Sequence, residues 1–284
     1  MSEPQKAAYY DFSAIPPLPV SEKTKPWMLF HDIADALKNY DTWLYMAWSD
    51  IKLRYQRTVL GPFWMVLVSF ISIICIAGLG SLLFKVRFSD FFPYVASGMV
   101  IWQFISLLIT ESGMVFLQHL GIIKNVNVSL VSFCMRLFVK NVIILAHSLV
   151  VVSLILIAYH VHVSWSLLLV VPGLLVASFT SVALSIIFGF MCARFRDLLL
   201  LLQAIIGILA FMTPVMWQPD MLGSKAYLAY FNPLTHYIDI LRMPLLGQTP
   251  PMMSYAVTLS MSGLLLIIAA WVYQIYRKRL VYWL

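Results

Sequence analysis

VLGPFWMVLVSFISIICIAGLGSLLF, residues 59–84, holds no charged side chain over its whole length. A helix rises about 1.5 Å per residue, so roughly 20 apolar residues cross the ~30 Å hydrocarbon layer of a bilayer. This run is long enough, and five others match it: 91–117, 137–159, 164–192, 198–218 and 253–276. The rest of the chain shares the character, with 62% of its 284 residues hydrophobic and 11% charged. Its mean hydropathy is +0.88, a balance that no water-soluble domain of this size carries. Backbone polar groups in lipid must be satisfied internally, and long runs without alternation form helices rather than barrel strands. The expected architecture is all-α: an integral membrane protein with six transmembrane helices.

Basic residues set the orientation. With both termini cytoplasmic, as an even number of spans requires, 15 of the 19 Lys and Arg fall on the inner side. They include Lys52, Arg54 and Arg57 before the first span, Lys124, Arg136 and Lys140 between the second and third, and Arg194 and Arg196 after the fourth. Arg277, Lys278 and Arg279 follow the last span, whereas only Lys85, Arg87, Lys225 and Arg242 fall outside. This asymmetry satisfies the positive-inside rule and predicts a multi-pass protein with N and C termini cytoplasmic. The net charge of +7 then reflects topology, with anionic membrane lipids as its partner rather than nucleic acid.

Residues 1–26 read as a flexible cytoplasmic tail whose Ile15-Pro-Pro-Leu-Pro19 stretch tends to polyproline II. They hold no apolar h-region, so the first span is expected to drive insertion. Residues 27–58 read as cytoplasmic amphipathic interfacial helices. Trp27, Phe30, Ala34 and Leu37 form one helical stripe, and Leu44, Trp48, Ile51 and Tyr55 a second, with Asp41 as the expected N-cap of the second helix. A basic helix with Trp and Tyr on its apolar side suits the plane of the inner headgroups; a soluble packed helix is the alternative. Gly61-Pro62 is where such a helix would turn into the first span.

Residues 59–284 form the expected six-span domain. Within 118–136 lies a cytoplasmic stretch too polar to span and apolar enough to dock. Residues 219–252 are long for a link, apolar in two short pieces and punctuated by Pro219, Pro233, Pro244, Pro250 and Pro251. Apolar segments of 10–14 residues beside full spans are often re-entrant, so an outer re-entrant helical hairpin is expected here.

Chemistry-bearing motifs are scarce. There is no phosphate-cradling G-x-x-x-x-G-K-[ST], so no ATP hydrolysis is expected from this chain, and no catalytic constellation stands out. His160 and His162 lack a third ligand nearby, and Cys75, Cys134 and Cys192 are odd in number and lie in or beside apolar runs; neither set points to a metal or disulfide. Glu111 is the one carboxylate inside an expected span. Such an acid is costly unless paired or wetted, which marks it as an intramembrane acid on a water-lined path or in an ion pair. Phe63, Trp64, Phe70, Trp102, Phe104, Phe116, Phe211 and Trp217 recur through the first, second and fifth spans. By composition alone they read as packing and interface belts.

Asp50-Ile-Lys-Leu-Arg-Tyr-Gln-Arg-Thr-Val-Leu-Gly-Pro-Phe-Trp64 resembles the lead into the first span of bacterial polysaccharide ABC exporter permeases, the type-2 exporters of O-antigen, capsule and teichoic acid. Three further pieces match in order: Ala193-Arg-Phe-Arg-Asp197, Thr213-Pro-Val-Met-Trp217 and Phe231-Asn-Pro-Leu-Thr-His-Tyr-Ile-Asp-Ile-Leu-Arg242. The resemblance covers about 50–284 and is strongest for the O-antigen type. It implies a homodimer in the bacterial inner membrane, bound to two copies of an ATP-binding cassette subunit that holds the ATP and Mg; this chain needs no cofactor or metal. It implies a substrate of the undecaprenyl-pyrophosphate-linked glycan type and a pore built from the first, second and fifth spans, which turns the eight aromatics into glycan-channel candidates. It also gives the 118–136 stretch, with His119, Gly121, Ile122, Lys124 and Asn125, the role of a coupling helix. Lys52, Arg54 and Arg57 are then placed either to pair with pyrophosphate oxygens or only to enforce topology. Outside this family, a secondary transporter or a membrane enzyme of glycan assembly would fit the same composition.

Overall fold

The computed structural model describes residues 28–56, 63–126, 128–162 and 164–284. Among them, helices are the only regular elements. Helices α1 (Met28–Lys38) and α2 (Tyr40–Tyr55) precede α3 (Phe63–Phe84) and α4 (Phe88–Ser112). The short α5 (Leu120–Asn125) leads to α6 (Leu130–Ala158), α7 (Val170–Arg194) and α8 (Leu198–Met212). After these come α9 (Tyr227–Tyr230), α10 (Pro233–Leu245), α11 (Met252–Tyr276) and α12 (Leu280–Trp283). The expected tail, Arg57, the Gly61-Pro62 turn, Trp27 and the Phe63 side chain lie outside the described residues.

Among the described residues, five helical segments are long and apolar enough to cross a membrane: Val66–Phe84, Phe88–Ser112, Leu130–Ala158, Trp165–Arg194 and Met252–Trp283. The expected fifth span, 198–218, stops earlier: α8 has 15 residues, about 22 Å of helix against a ~30 Å hydrocarbon layer. Pro214 explains the stop. A residue before proline is driven out of the α region, and Thr213 is extended at φ −99°, ψ 139°. Two other borders also differ. α6 begins seven residues before the expected start at 137, so Arg136 and Lys140 belong to the helix and not to the link. The second span ends at Ser112 rather than 117, and the chain passes through a turn and a 3-10 turn at Leu117–His119.

α4 sits at the centre, packed against α3, α6, α7, α8 and α10. The core is filled by Phe91, Phe104, Phe116, Phe133, Phe190 and Tyr273, all fully buried. α3 lies at the edge and turns most of its apolar side chains outward. The helices alternate in direction, so the bundle has two ends. One gathers α1, α2, α5 and α12 and is called here the α5 end; the other carries α9 and α10 and is called the α10 end.

At the α5 end, α1 docks through Leu29, Asp32 and Ala36 rather than through the expected stripe, whose Phe30 and Leu37 are exposed. Asp32 is the clasp. Its carboxylate accepts from the Tyr273 hydroxyl and lies 3.1 Å from Arg277, and its carbonyl accepts from Ser129 Oγ at 3.0 Å. Three distant parts of the chain meet on it. In α2, Ile51 faces the bundle while Leu44 and Trp48 are exposed. Asp41 is not its N-cap; Asn39 occupies that position, and Asp41 falls in the first turn.

At the α10 end, Asn232 caps α10 by accepting from Leu234 N at 3.0 Å, and Pro233 fills the first helical position, where its missing N–H costs nothing. α10 then runs along the bundle interior. Its Tyr237 hydroxyl lies 2.8 Å from Thr180 Oγ1 and 3.0 Å from Ser262 Oγ, side chains ten residues past the starts of α7 and α11. That places Tyr237 about 15 Å in from those helix ends. The helix leaves at Gly247, where φ is +76° and a Cβ would stand 2.1 Å from the His162 carbonyl oxygen, so only glycine fits.

Candidate functional site

Ionisable side chains from separate elements converge at the α5 end. Arg136 and Lys140 stand one turn apart on α6, which puts both cations on one helix face. Each meets an acid from another element: Asp50 of α2 pairs with Arg136, and Glu111, in the last turn of α4, lies 2.8 Å from Lys140. Asn141 Nδ2 adds a hydrogen bond to Glu111 at 2.9 Å. Glu111 is thus both ion-paired and hydrogen-bonded. The side chains are only partly sealed, 24% exposed for Asp50 and 23% for Glu111.

His119 closes the network. Its ring lies on Phe133, 5.2 Å between centroids. Its Nδ1 lies 2.9 Å from the Val115 carbonyl and 3.1 Å from Arg136 Nη1. One nitrogen serves one of these at a time: in one tautomer it donates to the carbonyl, in the other it accepts from the guanidinium. Burial, and then the neighbouring Arg136 cation, push its pKa below the ordinary histidine value. Both tautomers are neutral, and the lowered pKa favours this uncharged ring.

The segment that follows is anchored on one side and open on the other. Val115 and Phe116 are buried, Phe116 edge-on to Phe190 at 5.3 Å, and Ile123 is buried in α5. Gly121, Lys124, Asn125 and Val126 are exposed and Ile122 is half-buried. A Cβ placed on Gly121 meets no atom within 4 Å. The polar stretch 118–136 is therefore not one element: its outward-facing part is His119–Val126, and 130–136 belong to α6.

Of the three expected headgroup cations, Lys52 and Arg54 are exposed on α2 and Arg57 lies outside the described residues. Arg54 lines a polar cavity of ≈ 380 Å³ with Asp50, Leu53, Glu111, Gln118, Arg136 and Lys140. Among the described residues it makes no ion pair, whereas the two α6 cations have theirs.

The aromatic set divides. Trp102, Phe104 and Phe116 are buried in the core, Phe104 edge-on to Phe138, and offer no surface to a glycan in this chain. Trp64, Phe70 and Phe211 are exposed, and the half-buried Trp217 donates from Nε1 to the Phe211 carbonyl at 3.0 Å. Phe70 also lines an apolar groove of ≈ 490 Å³ between α3 and α6. Among the described residues no group of three or more His, Cys, Asp or Glu side chains is placed to hold a metal.

Sequence reasoning missed three features. Asp32 was hidden on an otherwise ordinary amphipathic helix. The Asp50–Arg136 pair joins positions 86 residues apart, which no local spacing announces. The buried pair Asp239–Arg242, 2.7 Å apart, did leave a signal: two opposite charges at i, i+3 inside an apolar segment are the pattern of a membrane-buried pair. Arg242 also donates to the Pro214 carbonyl at 2.7 Å and lies 4.1 Å over the Tyr94 ring.

These elements fall within one known pattern. Residues 42–246, from the first turn of α2 to the end of α10, match the ABC-2 type transporter family. The chain belongs to that family. Two curated relatives, both named "O-antigen export system permease protein RfbA" and both from Klebsiella pneumoniae, are 23% and 22% identical over 214 residues, 70% of this chain and 78% of theirs. The family match takes in Asp50, Arg54, Glu111, His119, Arg136, Lys140 and the buried pair of α10, so the polar network is part of an ABC-2 type membrane transport subunit.

Proposed function

We propose that this chain is the permease subunit of an ABC exporter that moves a lipid-pyrophosphate-linked polysaccharide of O-antigen type across the bacterial inner membrane. Capsule or teichoic acid would be the nearest other cargo. Hydrolysis belongs to a separate ATPase subunit, two copies serving a homodimer of this chain. The observation that carries the reading is the anchored, outward-facing His119–Val126 segment at the α5 end, together with the family match and the printed function of the O-antigen relatives. A segment with buried Phe116 and Ile123 on one side and exposed Gly121, Lys124 and Asn125 on the other is shaped to transmit force from a bound partner.

In this reading the α5 end is cytoplasmic, α8 and the turn at 213–217 make the sixth crossing, and α9–α10 form the re-entrant hairpin, supported by the depth of Tyr237. The exposed apolar side chains Phe30, Leu44 and Trp48 suit α1 and α2 to the inner headgroup plane. Lys52, Arg54 and Arg57 receive the pyrophosphate; Arg54 is exposed, and among the described residues its charge is not spent on an acid. The glycan path is left to Trp64, Phe70, Phe211 and Trp217.

Co-purification tests the docking surface. Gly121→Trp should fold, since its site is open, yet lose the ATPase subunit; retained binding would contradict the reading. A membrane-impermeant thiol reagent should label cysteines placed at 221–230 in cells with a permeable outer envelope and those at 119–127 only after the inner membrane is opened. Arg54→Gln/Arg57→Gln should block surface display at matched expression; normal display would leave these residues a topological role only.

A further inference from the structure

The guanidinium of Arg136 spends two different nitrogens on two elements that are distant in sequence. Nη1 faces His119 Nδ1 at 3.1 Å, at the head of the docking segment, and Nη2 donates to Asp50 of α2. No other described contact links His119 to α2 so directly. One turn further along α6, Lys140 holds Glu111 and so ties the end of α4 to the same post. α2 in turn lies at the approach to α3, the exposed edge helix with Trp64 and Phe70.

We infer that Arg136 is a positioning residue that couples the docking segment to α2: displacement of His119 by a bound ATPase subunit is passed through the guanidinium fork to Asp50. The inference rests on the reading of His119–Val126 as the ATPase-docking surface. The bridge needs a fork and not merely a charge, because a guanidinium presents fixed donors in two directions, whereas an ammonium is a point charge on a flexible stem. The neutral His119 can let go of Arg136 when a proton leaves Nε2 and one from water is taken up at Nδ1, which then donates to the Val115 carbonyl, so the link opens with no net change of charge on the ring. Asp50 and Lys140 are the other ionisable groups bearing on the His119 ring. The partial exposure of the Asp50 carboxylate, 24%, leaves it room to move.

The test uses the full permease co-expressed with its ATPase subunit and reconstituted in proteoliposomes, reading co-purification, ATP hydrolysis and glycan export per ATP. Arg136→Lys keeps the charge and removes the fork; Asp50→Asn leaves the guanidinium in place and takes the charge off its acceptor. Both should co-purify and hydrolyse ATP as the wild type does while export per ATP falls about tenfold, the effect of one charge-assisted hydrogen bond. The swap Asp50→Arg/Arg136→Asp restores the pair with opposite sense and should recover most of the loss, since a neutral imidazole can donate to Asp as well as accept from Arg. Unchanged export per ATP in both single variants overturns the inference, as does loss of co-purification in step with export. If the wild-type chain recruits no ATPase subunit, the docking reading falls, which is a different result from either.

Discussion

The two ends of the bundle each hold an arginine–carboxylate pair, and the pairs are built for opposite purposes. At the α10 end, Asp239 and Arg242 are 1% and 2% exposed, one turn apart on the same helix, with Arg242 also fixed by the Pro214 carbonyl and the Tyr94 ring. At the α5 end, Asp50 and Arg136 come from different helices, the carboxylate is partly exposed, and the arginine shares itself with a histidine that has another partner. A sealed pair cannot open without stranding a charge. A half-open pair between two bodies can exchange partners at small cost. On the proposed reading, the α10 end holds α10 in place and the α5 end is where movement enters.

The largest test of this contrast is Arg242→Ala. It leaves the Asp239 carboxylate buried and unpaired, and should cost about 3–5 kcal/mol, enough to deplete the folded protein. Asp239→Asn/Arg242→Gln removes both charges and should recover a good part of that. Thermal unfolding in detergent measures both, and a single variant as stable as wild type would break the distinction between the ends. Glu111→Gln at the α5 end should cost less, about 1.5–3 kcal/mol, because Lys140 has a route to solvent. If it is the more damaging of the two, the α5 end is the sealed one.

Close packing offers a third test. A Cβ on Gly98 of α4 would stand 2.9 Å from the Val215 backbone oxygen, whereas one on Gly207 of α8 meets nothing within 4 Å. Gly98→Ala should lower the unfolding temperature by an amount corresponding to about 1–3 kcal/mol, and Gly207→Ala should not lower it. Equal effects would mean that the 213–217 turn does not lean on α4.

The smallest effect is that of pH. The His119 pKa is lowered by folding, so the folded chain prefers the neutral ring. Its contribution is fully present above the unfolded value, about 6.5, and is lost as pH falls from there through the lower folded value. Wild type should therefore lose more stability than His119→Gln between pH 7.5 and pH 5.5. An identical pH response would show that His119 is not held by the Arg136 network.

What was legible in the sequence follows from what hydropathy measures. The charge-free run 59–84 needed no partner to be recognised, and the start of α11 fell within a residue of its expected place. The start of α6 was misplaced because Arg136 and Lys140 lower the local hydropathy, although Asp50 and Glu111 neutralise them in place. The end of α8 was misplaced for the converse reason: 213–217 is apolar, and hydropathy does not register the backbone constraint before Pro214. The aromatics show a further limit. α4 is apolar around nearly its whole circumference, so nothing local says which face turns inward, and Trp102 and Phe104 went to the core while Trp64 and Phe70 on the edge helix did not. The pieces that resembled a family were legible as words before their purpose was. Phe231–Arg242 turned out to carry the cap, the hydroxyl contacts and the buried pair that hold α10.

The most direct measurement of the central claim is ATP-driven movement of a lipid-linked polysaccharide into proteoliposomes containing this chain with and without its ATPase subunit. The expected result is transport and hydrolysis only when both chains are present, with neither activity from this chain alone. Hydrolysis by the isolated chain, or transport that proceeds undiminished without the ATPase subunit, would contradict the account.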